Sequence, residues 1–132
     1  MKQVIAALLL SLLSVSAFAA KLECKTNQAP DYGNPSLQDF RCETENGRLV
    51  KTQFTDMYGD WNDVGANSDS KVTETVNKDG SIRVEVAYEP GHDYYIGQLD
   101  LKVGHSEYRE ESFVDCLGTA SLISTVDCAE VK

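Results

Sequence analysis

Short stretches of alternating apolar and polar residues follow one another along most of the chain. A period of two places every second side chain on the same face of a strand. Turn-forming glycine, asparagine, aspartate and proline residues separate these stretches, the first and last of which cover residues 22–26 and 121–128. The pattern therefore predicts an all-β protein of about eight short strands.

The first hairpin is predicted around Glu45-Asn46-Gly47. These residues suit a type I turn that is followed by a glycine in the left-handed region, which makes a three-residue loop. The resulting register places Cys42 opposite Val50 on one face of the hairpin. A two-residue Asn-Gly loop would instead set Cys42 against the charged Lys51, so the alternation favours the three-residue loop.

The same loop type is predicted at Lys78-Asp79-Gly80. Its register sets Val72 opposite Val86 and Val76 opposite Ile82, so four apolar side chains share one face of the hairpin. The other face carries polar and charged residues, as expected of a face that contacts solvent. The agreement between turn type and alternation makes this the best-supported hairpin of the sequence.

A third hairpin is predicted at Gly104-His105, a dipeptide that suits a two-residue type II′ turn with glycine in the first position. Its register sets Asp100 opposite Arg109, an opposite-charge pair. On the other face, the same register sets Leu101 opposite Tyr108. Three hairpins of this kind are difficult to reconcile with a helical protein.

Tight turns and long connections alternate along the chain. Alternate connections of an up-and-down sheet lie at opposite ends, so all the tight turns are expected at one end and all the long connections at the other. The strands would form a small antiparallel meander, in which a closed barrel is favoured over a two-sheet sandwich because closure removes exposed edges. The long connections cover residues 29–37, 57–69, 90–93 and 117–120.

The N-terminal residues have the features of a cleaved export signal. Lys2 supplies a positive charge, residues 4–13 are apolar apart from one serine, and Ala17-Phe18-Ala19 offers the small residues that signal peptidase accepts. We interpret residues 1–19 as the signal peptide and residues 20–132 as a single β domain. The apolar run is too short to span a bilayer, so the mature chain is expected to be periplasmic or secreted, without membrane insertion.

Export determines how the cysteines are interpreted. An even number of cysteines in an oxidising compartment favours disulfides, and two histidines without a C-x-x-C motif give little basis for a zinc site. Two disulfides are therefore expected. Three connectivities are possible, and pairing in chain order is slightly preferred because it closes the two shortest loops. The pairs would then be Cys24 with Cys42 and Cys116 with Cys128.

The length and the charge limit the possible functions. A chain of 132 residues, of which 25% are charged and 42% hydrophobic, has room for one ordinary globular domain. Its net charge of −9 argues against nucleic acid as a partner, because binding phosphates requires a surplus of Lys and Arg. Cationic proteins complement such a surface better.

The long connections are the expected binding surface, because rigid strands commonly present recognition residues on loops. Aromatic residues beside several aspartates suit a basic protein or a glycan, which favours an exported, non-enzymatic, inhibitor-like binding module. The alternative is that the aromatics cap the core and the acids keep the loops soluble. The candidate binding residues are Tyr32, Asp60, Trp61, Asp63, His92 and Tyr94, with Tyr58, Asp31, Asp56, Asp69 and Asp93 beside them.

A calcium-stabilised structural protein of the cell envelope is the first alternative. The Asp- and Asn-rich residues 56–69 offer the oxygen ligands that calcium prefers. The EF-hand pattern can be laid on residues 60–65, but Val64 occupies the fifth position and Lys71 the twelfth, where a bidentate glutamate is required. No metal ligand and no cofactor is therefore assigned.

A small hydrolase is the second alternative. The predicted registers place Glu74 and Glu110 on inward faces, where paired carboxylates could act as acid and base in glycoside chemistry. Such residues more often pair with Arg or Lys near strand ends. His92 and His105 lie at opposite ends of one predicted strand and cannot share a site, and no G-x-S-x-G motif is present. No catalytic residue is assigned.

One segment resembles a known family. Phe40-Arg41-Cys42-Glu43-Thr44-Glu45-Asn46-Gly47 is similar to the Y-x-C-x-x-G type opening strand of the periplasmic inhibitors of c-type lysozyme. The later motifs of that family, a Ser-Gly-Ala-Arg-Tyr-like loop and a Trp-Lys-Gly segment, are absent, and Trp61 is followed by Asn62-Asp63. No inhibitory residue is therefore carried over, and basic lysozymes enter only as reasonable partners for an acidic surface.

Overall fold

A computed structural model describes residues 19–28, 35–65 and 69–131. The signal peptide assigned to residues 1–19 lies outside this part of the chain except for its last residue, and so does Tyr32. The described residues form nine β-strands, which confirms the predicted all-β class. The strands are β1 (Ala19–Thr26), β2 (Asp39–Glu45), β3 (Arg48–Thr55), β4 (Trp61–Asp63), β5 (Ser70–Val76), β6 (Ile82–Tyr88), β7 (Tyr94–Leu101), β8 (Gly104–Val114) and β9 (Gly118–Glu130).

All nine strands belong to one antiparallel sheet with the order β4-β3-β2-β1-β9-β8-β7-β6-β5. The sheet curls into a half-barrel, so the predicted closed barrel is wrong, and a two-sheet sandwich is not formed either. The ninth strand is β4, a three-residue strand within the predicted long connection 57–69. Its Asp- and Asn-rich sequence has low strand propensity, and it pairs only with β3, so it does not extend the ladder to β5.

The connections divide between the two ends of the half-barrel as the alternation predicts, because consecutive strands other than β4 and β5 are antiparallel neighbours. We call the end of the half-barrel that contains residues 46–47, 77–81 and 102–103 the tight-turn end. We call the opposite end, which contains residues 56–60, 89–93 and 115–117, the loop end. None of the described residues forms a helix long and apolar enough to cross a membrane.

The second predicted hairpin is confirmed residue by residue. β5 and β6 pair with Val72 opposite Val86 and Val76 opposite Ile82. The amide of Asn77 donates to the carbonyl of Ser81 at 2.8 Å. Gly80 has a φ of 88°, as the left-handed position of this turn requires. The valines of β5 are nevertheless exposed, because β5 is an edge strand of the open sheet.

The predicted loop of the first hairpin is wrong. Asn46 and Gly47 form a two-residue turn with φ values of 54° and 74°, as in a type I′ turn. A β-bulge then leaves Val50 without a partner on β2, so Cys42 lies opposite Thr52 rather than Val50. The bulge restores the alternation that the two-residue turn alone would have broken.

The third hairpin has the predicted faces but a register shifted by two residues. Leu99, not Leu101, lies opposite Tyr108. Gly104 does not start a type II′ turn, because it belongs to β8 and pairs with Cys128 on β9. Pairing with β9 thus extends β8 into the predicted turn. Asp100 forms its ion pair with Arg83 at 3.0 Å instead of with Arg109.

The core lies on the concave face of the half-barrel. Alternate residues of most strands are buried there, and the fully buried side chains include the aromatic rings of Phe40, Phe54 and Tyr108. Phe40 and Tyr108 pack with their ring centroids 6.0 Å apart. Burial of side chains this large makes the concave face the main hydrophobic contribution to stability.

One disulfide joins Cys24 of β1 to Cys128 of β9, so neither the predicted pair of disulfides nor the pairing in chain order is correct. The two cysteines lie directly opposite each other because the sheet order places β9 beside β1. Cys116 is a free, exposed thiol, and Cys42 is a free, buried thiol. Burial raises the pKa of Cys42 to about 12, against the smaller lowering effect of the Thr52 hydroxyl.

Glu74 bridges the opening of the half-barrel near the tight-turn end. Its carboxylate accepts hydrogen bonds from the Arg48 side chain, at 2.5 and 2.8 Å, and from the backbone N–H of Leu49 at 2.9 Å. Arg48 and Leu49 belong to β3 and Glu74 to the edge strand β5. A side chain thus connects two strands that share no ladder. An inward-pointing charge on an edge strand also discourages pairing with another chain.

The disulfide is expected to contribute strongly to stability. Replacing Cys24 and Cys128 together by alanine should lower the free energy of unfolding by about 4 kcal/mol, because the bond closes a loop of about 100 residues in the unfolded chain. Urea unfolding followed by circular dichroism measures the change. The control Cys116→Ser should stay within about 0.5 kcal/mol of the wild type. Equal stability of the double variant and the wild type would contradict the assignment.

The contribution of Glu74 should depend on pH. The Arg48 side chain and the N–H of Leu49 hold the pKa of Glu74 below its usual value. The bridge therefore stabilises the fold above the ordinary glutamate pKa, and this stabilisation is lost as the pH falls through the lower folded-state pKa. Glu74→Gln should lower the urea midpoint at neutral pH, and the difference from wild type should shrink towards about pH 3. The control Glu85→Gln, on the outer face of β6, should show a much smaller difference, and a pH-independent effect of Glu74→Gln would refute the bridge.

Candidate functional site

A cleft of about 170 Å³ opens at the loop end of the half-barrel. It lies between the β3–β4 connection and the β6–β7 connection. Aromatic side chains and carboxylates make up most of its lining, and binding pockets commonly combine aromatic surface with a few placed polar groups. The residues that matter for its chemistry are Asp56, Met57, Tyr58, Tyr88, Asp93 and Tyr95.

Two tyrosines supply the rigid part of the cleft. Tyr88 is the last residue of β6 and lies opposite Tyr95 of β7 in the ladder. Their rings stack with centroids 6.3 Å apart, and Phe54 packs edge-on against Tyr88 with centroids 5.0 Å apart. The strands and the core therefore fix both phenol rings before any partner binds.

The two carboxylates are oriented by the backbone. Asp56 accepts a hydrogen bond from the N–H of Tyr58 at 2.9 Å through Oδ1. Asp93 accepts one from the N–H of Asp115 at 2.8 Å, again through Oδ1, which ties the β6–β7 connection to the β8–β9 turn. In the described part of the chain these bonds engage one oxygen of each carboxylate and leave the other for a partner.

Burial and nearby carboxylates both raise the pKa values of the phenols in the cleft. Burial raises the pKa of Tyr88, and the nearby charges of Asp56 and Asp69 raise it further. Burial also raises the pKa of Tyr95, with added contributions from Asp93 and Glu110. Both phenols therefore stay protonated at neutral pH, and the carboxylates favour a positive group in their vicinity.

Large exposed side chains lie at the loop end. Tyr58 is 82% exposed and Met57 52% exposed, both in the β3–β4 connection. Leu117, in the β8–β9 turn, is 84% exposed. Aromatic and methionine side chains are enriched at protein interfaces, where they supply contact area. The loop end thus combines apolar contact residues with an acidic cleft.

The predicted cluster of Trp61, Asp60 and Asp63 lies elsewhere. Trp61 belongs to β4 and is half-buried, and the guanidinium of Arg41 covers its ring at 3.9 Å from the centroid. Asp63 accepts a hydrogen bond at 2.6 Å from the Gln53 side chain. Asp60 is exposed and its carbonyl accepts from the side chain of Asn62 at 3.0 Å. This group therefore forms part of the outer surface beside β3, with one face of the indole ring covered by Arg41.

The other predicted site residues do not join the cleft either. His92 is exposed in the β6–β7 connection. Tyr94 stacks on Phe113 of the neighbouring strand, with ring centroids 5.8 Å apart, on the face opposite to Tyr95. The loop residues named from the sequence include Tyr58, Asp56 and Asp93, which line the cleft, but not Tyr88. The alternation of inward and outward side chains continues to the last pair of the β6–β7 ladder, and this signal could have placed Tyr88 opposite Tyr95.

The residues invoked for the two alternatives have other partners. Glu74 bridges to β3, while Glu110 is buried under the segment that precedes β2, so the two carboxylates do not converge. The stretch 60–65 contains strand β4 rather than an open calcium loop. Within the residues that the structure describes, no three His, Cys, Asp or Glu side chains are grouped to hold a metal ion.

Glu110 positions one wall of the cleft from inside the core. Its carboxylate accepts hydrogen bonds from the N–H groups of Ser36 and Leu37, at 3.0 and 2.9 Å, and from the Tyr108 hydroxyl at 2.7 Å. Ser36 lines the cleft, so these bonds connect the site to the core. Gly97, opposite Glu110, makes room for this arrangement, because a Cβ there would lie 2.5 Å from the Tyr108 hydroxyl oxygen.

No family model, curated protein or solved structure matches the chain.

Loss of the Glu110 carboxylate should destabilise the protein strongly. Glu110→Ala would leave the buried N–H of Leu37, the half-buried N–H of Ser36 and the Tyr108 hydroxyl without their acceptor, at an expected cost of about 3 kcal/mol in the free energy of unfolding. Glu110→Gln should cost less, because one amide oxygen remains as an acceptor. The matched control is Glu111→Ala, which alters an exposed neighbour. Similar urea midpoints for the two alanine variants would show that the three hydrogen bonds contribute little.

Proposed function

We propose that this protein is an exported, non-enzymatic binding module that recognises a basic protein through its loop end. The observation that carries the proposal is the cleft in which two backbone-oriented carboxylates, Asp56 and Asp93, flank tyrosine rings. Preoriented charges lower the cost of ordering on binding, so they contribute more than mobile surface acids. Its role is inhibitor-like in the sense that it occupies a partner and transforms nothing.

The net charge of −9 supports a cationic partner, since complementary charge speeds encounter and disfavours acidic proteins. Protein is favoured over glycan as the partner class because the one tryptophan is not a free stacking platform. Arg41 already covers the ring of Trp61. The exposed side chains of Met57, Tyr58 and Leu117 add the apolar contact area that protein interfaces use.

Export is supported by the disulfide and by the features of residues 1–19. Disulfides persist in oxidising compartments and are rare in the cytosol, so the Cys24–Cys128 bond is in keeping with a periplasmic or secreted protein. A binding role rather than catalysis is supported by the side chains that a hydrolase would need. Glu74 and Glu110 are engaged in separate structural contacts, and the carboxylate of Asp93 faces a backbone N–H rather than His92.

Binding of a basic probe protein tests this proposal. Hen egg-white lysozyme titrated into the oxidised protein should give saturable heat in calorimetry, with affinity falling about tenfold between about 50 mM and about 500 mM salt. The double variant Asp56→Asn/Asp93→Asn should weaken binding at low salt by about tenfold. Asparagine keeps the oxygen that accepts the backbone N–H, so the loops should retain their shape.

The control variant Asp60→Asn removes the same kind of charge from the same connection but outside the cleft. It should change the affinity by less than about twofold, since exposed charges at a distance are screened. Equal losses in both variants would assign binding to net charge alone. Absence of binding at low salt would exclude this class of basic protein as partner.

A further inference from the structure

We propose that the cleft at the loop end is a receptor for one cationic side chain, a lysine ammonium or an arginine guanidinium, that the basic partner inserts. This inference rests on the function proposed above and specifies the chemistry of its central contact. Tyr58, Tyr88 and Tyr95 provide the aromatic surface, and Asp56 and Asp93 provide the negative charge.

The size of the cleft limits what it can hold. Pockets for drug-sized ligands measure about 300–1,000 Å³, and this cleft measures about 170 Å³. A cleft this much smaller than such pockets suits the end of a single long side chain better than an oligosaccharide.

The lining selects for a cation. Phenol rings attract a cation placed within about 6 Å of their faces or next to their oxygens. The stacked pair of Tyr88 and Tyr95 forms the fixed part of that surface. Tyr58, which is 82% exposed, would lose water on closing over an inserted side chain. An apolar side chain would desolvate two carboxylates without pairing them, and an anionic one would be repelled.

The remaining oxygens of the carboxylates give the second element of recognition. Since Asp56 and Asp93 each use Oδ1 for a backbone N–H, an incoming group with several N–H donors can bind the free oxygens. A guanidinium or an ammonium carries such donors and no acceptor. The donors of Tyr58 and Asp115 therefore lie next to the proposed binding point and can report on its occupation.

The test uses small analogues of the two side chains. n-Butylammonium and n-butylguanidinium chloride are titrated into the ¹⁵N-labelled protein at constant ionic strength, with n-butanol as the neutral control. The backbone amide signals of Tyr58 and Asp115 should shift saturably with both cations and stay in place with n-butanol. The double variant Asp56→Asn/Asp93→Asn should weaken the apparent affinity about tenfold, and Tyr58→Ala about threefold.

Two control variants match these changes. Asp60→Asn removes an acid from the same connection, and Tyr94→Leu removes an aromatic ring from the outer face of the neighbouring strand β7. Both should leave the titration within about twofold of the wild type. Shifts that are absent with the cations, equal with n-butanol, or unchanged in the double variant would overturn the proposed receptor.

The two proposals can fail separately. If the lysozyme probe binds with the expected salt dependence and no cation shifts the two amide signals, the proposed receptor for a cationic side chain is wrong and the proposed binding module stands. If the cations bind in the cleft and lysozyme does not bind at low salt, the receptor stands and the basic protein partner is replaced by a small cationic ligand.

Discussion

The pairing of β1 with β9 determines the shape of the whole molecule. It brings the first and last described strands together in the middle of the sheet, where Cys24 and Cys128 lock them. Once these strands are paired, the opening of the half-barrel falls between β4 and β5. Only three residues of β4 pair with β3, so the opening is bridged by the side chain of Glu74 rather than by a ladder. An edge strand that carries an inward-pointing, paired charge is a stable alternative to closure.

A second constraint links the core to the loop end. Glu110 satisfies two backbone N–H groups of the segment that leads into β2, and Tyr108 completes the set. Buried polar groups are costly when unpaired, so the segment has one favourable position above the core. Gly97 is part of the same arrangement, because any side chain there would displace Tyr108 or Leu37. The wall of the cleft that contains Ser36 is therefore fixed by the core through Glu110, whereas the β3–β4 and β6–β7 connections form the other walls.

The class of fold, the antiparallel order of neighbours and the division into two ends could be predicted from the sequence, because alternation and turn residues are local signals. Registers were harder. The 78–80 loop gave the correct register, but the bulge at Val50 and the extension of β8 through Gly104 each shifted a hairpin by two residues. The face on which each side chain lies was still predicted correctly, because a shift by an even number of residues keeps every side chain on the same face of the strand. The missing closure and the Cys24–Cys128 pairing depend on contacts between distant strands, which local signals do not contain.

The site was harder to predict than the fold, for a physical reason. Loop composition pointed to the loop end, where the candidate cleft lies, but composition does not reveal which aromatic rings already pack against other side chains. Arg41 occupies the ring of Trp61 and Phe113 that of Tyr94, whereas Tyr88 and Tyr95 look like core residues in sequence and turn out to line the cleft. Rings fixed by strands and carboxylates oriented by backbone N–H groups therefore support the proposed recognition better than the number of acids on the loops does.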